Sequence, residues 1–158
     1  MIKRALILYY SWSGTTAKMA QALQTISQAP TVELTVEPDT FSTDMYQTSD
    51  IAKQQLATNH LPLLTNQLPD LNDYDLLLIG GPVWSGEPAT PVQQLLKQLP
   101  DNYTGTIAPF YTSAGGDQQY QTNFQKLTTA HVVNGLGLSS SNFSNETELI
   151  KNWWQQLN

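Results

Sequence analysis

Apolar residues gather along this chain in five runs of strand length: residues 4–10 (RALILYY), 31–37 (TVELTVE), 74–81 (YDLLLIGG), 106–113 (TIAPFYTS) and 130–138 (AHVVNGLGL). The first, third and fourth are almost continuously apolar, as strands packed on both faces are, whereas TVELTVE alternates and reads as an edge. Between the runs the spacing of apolar positions turns helical, over residues 15–27, 49–59, 90–99, 118–127 and 146–156. In the third helix Pro91 falls in the first turn, where a missing N–H costs nothing, and Val92, Leu95, Leu96 and Leu99 form one face. Strands alternating with helices predict an α/β fold: a three-layer, doubly wound, five-stranded parallel sheet of order 2-1-3-4-5, joined by right-handed crossovers. In such a sheet a ligand binds beyond the carboxyl ends of the strands, where the winding reverses. The loops after the first and third strands are therefore the places to look for chemistry.

Residues 36–72 are longer than an ordinary crossover and rich in Asp, Thr, Gln, Asn and Pro. Ile51, Leu56, Leu61, Leu63, Leu64 and Leu68 supply apolar anchors, so the stretch reads as one helix followed by a segment that covers the domain and can border a site. With 158 residues and 40% hydrophobic content, residues 1–158 make a single domain. The formal charge of -6 and only seven scattered basic residues leave no footprint for nucleic acid. There is no cysteine, hence no disulfide, thiolate metal site or cysteine nucleophile, and the two histidines lie far apart, so no metal site is expected. His131, inside a strand, reads as a structural residue, and His60 as an exposed one. Trp153 and Trp154 read as packing the last helix on the core. The apolar stretch after Lys3 and Arg4 is too short for a signal sequence, and no run reaches the roughly 20 residues of a membrane span, so a cytoplasmic protein with no membrane partner is expected.

The loop after the first strand is SWSGTT, residues 11–16. It opens a helix, whose first N–H groups are unpaired and carry partial positive charge. Ser11, Ser13, Thr15 and Thr16 add hydroxyl donors, and Gly14 lets the backbone approach a phosphate closely. The alternative is that Ser13 or Thr15 merely caps the helix. The spacing matches neither the triphosphate P-loop nor the dinucleotide fingerprint. After the third strand comes GGPVWSGEP, residues 80–88, which holds Trp84 where an indole can stack on a flat ligand or pack into the core. After the fourth strand comes YTSAGGD, residues 111–117, where Thr112, Ser113 and two glycines free backbone groups to read a ring's polar edge, or simply turn the chain. A phosphate, a ring face and a ring edge are thus catered for at one predicted switch point. Glu87 and Asp117 flank it.

These three stretches, YYSWSGTT, YDLLLIGGPVWSGEPATPV and TIAPFYTSAGG, resemble the flavodoxin-fold FMN proteins over nearly the whole chain, in particular a bacterial subgroup with an extended segment before the third strand. The resemblance implies FMN as cofactor, with Ser11, Trp12, Ser13, Gly14, Thr15 and Thr16 in its phosphate loop. It implies Pro82, Val83, Trp84, Ser85 and Gly86 beside the isoalloxazine, and Thr112, Ser113, Ala114, Gly115 and Gly116 at its pyrimidine side, with Tyr111 near the ring or in the core. Two positions depart from the family pattern. Thr15 stands where Asn is common, and Ser85 stands where a glycine often follows the stacking aromatic and lets a peptide turn its carbonyl to the reduced ring, stabilising the semiquinone.

The function implied is an FMN-binding, flavodoxin-like electron-transfer protein with a redox partner protein, no residue acting as acid or base. The alternative is a small FMN-dependent NAD(P)H reductase of quinones or similar acceptors, which has less need of a stable one-electron state. A hydrolase on this fold would want a G-x-S-x-G elbow with histidine and acid partners, and neither Ser13 nor Ser85 has those flanking glycines.

Overall fold

The computed structural model describes residues 4–116, 119–139 and 141–157. Strand β1 (Ala5–Tyr9) lies at the centre, flanked in parallel by β2 (Thr31–Glu33) and β3 (Leu76–Trp84). Beyond β3 comes β5 (Thr106–Ser113), also parallel, and then β6 (His131–Val132) and β7 (Leu136–Ser139), one after the other along its outer edge. A two-residue strand, β4 (Glu87–Pro88), folds back antiparallel on the end of β3. The order β2-β1-β3-β5-β6 is the predicted 2-1-3-4-5 winding, with β4 added and the last strand divided. Helix α1 (Thr15–Ser27) and α5 (Glu146–Leu157) cover one face of the sheet, while α2 (Met45–Ala57), α3 (Thr90–Lys97) and α4 (Tyr120–Gln125) follow the strands of the other.

The core is partitioned by the period-2 alternation of the central strands. Leu6, Leu8 and Tyr10 of the first strand region, Leu77 and Ile79 of β3 and Ile107 and Tyr111 of β5 face one layer, against Val92, Leu95, Tyr120 and Phe124. Ala5 and Ile7, Leu76 and Leu78, and Ala108 and Phe110 face the other, against Met19, Leu23, Ile150 and Trp153. This two-sided burial explains the unbroken apolar runs, since neither face of these strands meets water. Trp153 is buried and its indole N–H donates to the Asn134 carbonyl at 3.0 Å, so the last helix is packed on the core as expected.

Several elements depart from the sequence pattern, each for a visible reason. The last strand breaks between β6 and β7 because Pro109 of β5 has no N–H. The Ile107 carbonyl accepts from Val133 N–H at 2.9 Å, so Pro109, two residues on, faces the same outer side and cannot continue the ladder. Gly135 crosses the gap so closely that an added Cβ would lie 2.2 Å from the Pro109 oxygen. Strand β2 stops at Glu33 instead of residue 37. There Thr35 N–H donates to the Asn66 side-chain oxygen (3.0 Å) and the Thr35 carbonyl accepts from Thr65 N–H (2.8 Å), so the covering segment takes over the edge. Helix α2 begins four residues earlier than the apolar spacing suggests, because the Asp44 carboxylate caps it by accepting from Tyr46 N–H at 3.1 Å. Leu64 and Leu68 anchor that segment on the core, but Leu56 and Leu63 are exposed. His131 is exposed on β6 and not packed inside, and His60 is exposed as expected. The first position of the predicted helix 118–127 and Asp117 lie outside the described residues. Among the described residues no helix is long and apolar enough to cross a membrane, and no cluster of metal-ligating side chains is found.

Gly80 sits under the Phe110 ring, where an added Cβ would come within 2.2 Å of two ring carbons. We expect Gly80→Ala to cost about 1–3 kcal/mol of stability through overpacking, and Phe110→Leu to recover part of that loss in the double variant, as read by urea unfolding. A second expectation concerns alkali. Burial pushes the Tyr10 phenol up to about 12, and burial, with the Asp75 carboxylate adding to it, does the same for Tyr103, whose hydroxyl donates to the Tyr74 carbonyl at 2.7 Å. The folded chain thus holds both protons above the ordinary value of 10.0, so their stabilisation is complete below that pH and is lost as pH rises towards about 12. Urea midpoints measured at rising pH should fall across that window, and less steeply for Tyr103→Phe.

Candidate functional site

Strands β1, β3 and β5 run in register and end at one edge, so the loops that follow them open onto a common cleft of about 450 Å³. Trp12, Ser13 and Thr15 line it from the first loop, Pro82, Val83, Trp84 and Ser85 from the second, and Thr112, Ser113 and Ala114 from the third. Among the described residues no charged side chain lines the cleft.

The first loop is built around Ser11. Its Oγ accepts from both Gly14 N–H and Ala17 N–H at 3.1 Å, which closes the loop and occupies the third N–H of α1. Gly14 takes the N-cap position in the left-handed region at φ 93, and no side chain caps the helix there. Ser13 and Thr15 therefore do not spend their hydroxyls on capping; they contact each other at 3.2 Å on the cleft wall. The Thr15 and Thr16 N–H groups are left without an acceptor among the described residues, at the positive end of a 13-residue helix. The Thr16 hydroxyl behaves differently from its neighbours. It is buried and meets the Thr112 hydroxyl at 2.7 Å, tying the first loop to the third.

Trp12 stands between this cleft and a second one of about 420 Å³ that Ser11 and the residues after β2 border. Its indole N–H donates to the Ser42 carbonyl at 2.9 Å, and the Thr48 hydroxyl donates to the same carbonyl at 2.8 Å. The covering segment is thereby fastened to the first loop. As a result Met45, Tyr46, Thr48 and Ser49 form a wall of the cleft, and Phe143, from the turn before α5, forms another part of it. None of these five was singled out from the sequence. The Asp44 cap before Met45 was the available signal for the first four; Phe143 carries none.

Trp84 is half-buried and lines the cleft while packing edge-on against Phe41 (5.1 Å between centroids, 72°) and Tyr10 (5.9 Å, 84°). The chain then reverses through Ser85 and Gly86, whose φ values of 54 and 80 are both positive. With Trp84 paired to Glu87, this is a two-residue type I′ hairpin turn. Gly86, Gly115 and Gly116 lie beside a neighbouring depression and do not line the main cleft, and neither do Ser11, Gly14 or Thr16. Tyr111 is buried and stacks on Tyr120 at 4.1 Å, which places its ring in the core.

A family model for flavodoxins matches residues 4–157. The chain belongs to the flavodoxin family. Among solved structures, this flavodoxin-family chain is similar to a flavoprotein in complex with FMN from Lactobacillus acidophilus NCFM, with 42% identity and a TM-score of 0.80 over 92% of this chain and 99% of that one. The apo form of the flavoprotein from the same organism aligns at 42% identity with a TM-score of 0.70, over 93% and 99% of the two chains. The chain is also 33% identical over 148 residues to a protein of Solidesulfovibrio magneticus named NAD(P)H dehydrogenase (quinone), covering 86% of this chain and 72% of that protein.

The buried hydroxyl pair is open to a direct check. Thr16→Val or Thr112→Val alone should cost about 1–3 kcal/mol, because each leaves the other hydroxyl buried without its partner, whereas the double variant should cost less than the sum. Chemical denaturation of the four proteins gives the coupling.

Proposed function

We propose that this chain binds FMN non-covalently in the cleft at the ends of β1, β3 and β5 and transfers electrons through it. One observation carries the reading: three loops of different character converge on a single cleft at the switch point of the sheet, one rich in free donors, one presenting an indole and one contributing small residues. The residues present fit the group. Ser13, Thr15 and the free N–H group of Thr15 can hold a phosphate without a basic side chain. Trp84 and the mainly apolar walls from Pro82, Val83, Met45 and Phe143 suit a flat ring, and the small residues Ser113 and Ala114 leave room for its polar edge. The flavoprotein of Lactobacillus acidophilus, solved with FMN, supports the same assignment.

FMN supplies the redox chemistry when bound; the protein's part is to orient the ring, exclude water from one face and set the electrostatic surroundings. With no charged side chain among the described walls to offset it, negative charge on the ring is costly, which favours a low potential. A redox partner protein is then the natural source and recipient of electrons. The second reading, an NAD(P)H-dependent reductase of quinones or similar acceptors, is favoured by the name of the Solidesulfovibrio relative.

Titration of the apo-protein into FMN and riboflavin, followed by flavin fluorescence, tests the assignment. FMN should bind more tightly than riboflavin, and Ser13→Ala or Thr15→Ala should each lower FMN affinity by about tenfold while leaving riboflavin unchanged, as loss of a hydrogen bond to a charged group predicts. Equal affinity for the two flavins would remove the phosphate role of the first loop. Anaerobic photoreduction in two one-electron stages supports the carrier; a single two-electron bleach, with NAD(P)H turnover in the absence of any added reductase, supports the enzyme.

A further inference from the structure

The two walls assigned above to the ring, the turn after β3 and the loop after β5, come from separate strands and have to keep a fixed spacing. A side chain from the helix that follows the second of them reaches the first. Asn123, on α4, donates from Nδ2 to the Gly86 carbonyl at 2.9 Å across a partly buried contact. Its helix is a firm base: Tyr120 and Phe124 are fully buried, and Gln121 grips the outer sheet edge, donating to the Val133 carbonyl at 3.1 Å and accepting from Gly135 N–H at 2.9 Å.

The turn that Asn123 holds has little freedom of its own. A type I′ turn can invert its central peptide by passing to type II′, but the first central residue must then take a backbone conformation that is essentially glycine's alone. Here that residue is Ser85, already at φ 54. Ser85 therefore blocks the inversion from within the backbone, and Asn123 fixes the carbonyl that follows from outside it. Both act on the stretch immediately after Trp84, at the mouth of the cleft.

We propose that Asn123 is a positioning residue for the ring-binding half of the cleft: by clamping the Gly86 carbonyl it holds the Ser85–Gly86 turn in one orientation whatever the redox state of the bound flavin. The proposal rests on the FMN reading above. Its consequence is that the peptide dipole of the Gly86 carbonyl cannot follow the charge that reduction places on the ring, and releasing that one dipole should make the reduced state easier to reach.

The test compares wild type with Asn123→Leu, which keeps much of the bulk and loses the donor, and Asn123→Ala, which removes the side chain beyond Cβ. In ligand-free protein, amide hydrogen exchange over residues 85–87 should quicken in both variants while the far-UV spectrum and the remaining exchange stay as in wild type. Affinities for FMN and riboflavin should fall together by about fivefold, the loss of one hydrogen bond's worth of positioning, so that their ratio is unchanged. The two-electron midpoint potential of the FMN complex should rise by about 30 mV, a tenfold gain in relative affinity for the reduced flavin. Unchanged exchange at residues 85–87, an unchanged potential, or a loss confined to FMN would each overturn the proposal, the last because it would move Asn123 to the phosphate half. Failure of the FMN reading looks different: wild type itself would bind neither flavin, and the clamp would then be a fold contact with no ring to position, which also overturns it.

Discussion

Burial of β1, β3 and β5 on both faces is the constraint from which the rest follows. A strand packed between two helical layers cannot carry an unpaired polar side chain along its length without a penalty of several kcal/mol. Leu6 to Leu8, Leu76 to Ile79 and Ile107 to Phe110 accordingly offer only apolar side chains, and all of them are buried, Pro109 with its ring against Gly135 included. Polar chemistry is displaced to the strand ends, and because the three strands are parallel and in register it is displaced to the same end. The cleft is thus an outcome of sheet packing before it is an outcome of any loop sequence.

At that end, the loops are held to one another more than to solvent. The Thr16 and Thr112 hydroxyls join the first loop to the third, Asn123 joins the helix after the third loop to the turn of the second, and the Trp12 indole joins the first loop to the covering segment. Each link is a single hydrogen bond. Together they make the three walls a closed set in which displacement of one is resisted by its neighbours, which is the kind of pre-organisation that lowers the ordering cost of binding.

Most of the sheet was legible in the chain because the signal is a bulk one: continuous apolar runs, helical spacing between them, and hydroxyls around a glycine just after the first run. The features that escaped are those set by one backbone atom or by a distant partner. The missing N–H of Pro109 divided the last strand, although the run AHVVNGLGL gives no sign of it. The antiparallel return of β4 depended on two consecutive positive φ values, which Ser-Gly suggests only weakly. Exposure of Leu56 and Leu63 depends on the path of a long segment whose apolar residues look alike whether they anchor or protrude. In the site, the loops were found because their composition is unusual, and the covering segment was expected to be able to border a site, but which of its residues do so is set by tertiary folding, and Phe143 reaches the cleft with no local signal at all.

The carbonyl of Ser42 accepts two hydrogen bonds, one from Trp12 in the first loop and one from Thr48 in α2, so both of its lone pairs are committed. That one atom makes the order of the first loop and the order of the covering segment a shared quantity. Any ligand that quiets residues 11–16 also stabilises the first turn of α2, and by reciprocity whatever steadies α2 tightens the ligand by the same free energy. A molecule seated on the outer surface of the covering segment, remote from the cleft and touching nothing in it, would therefore act as an effector of what the cleft holds.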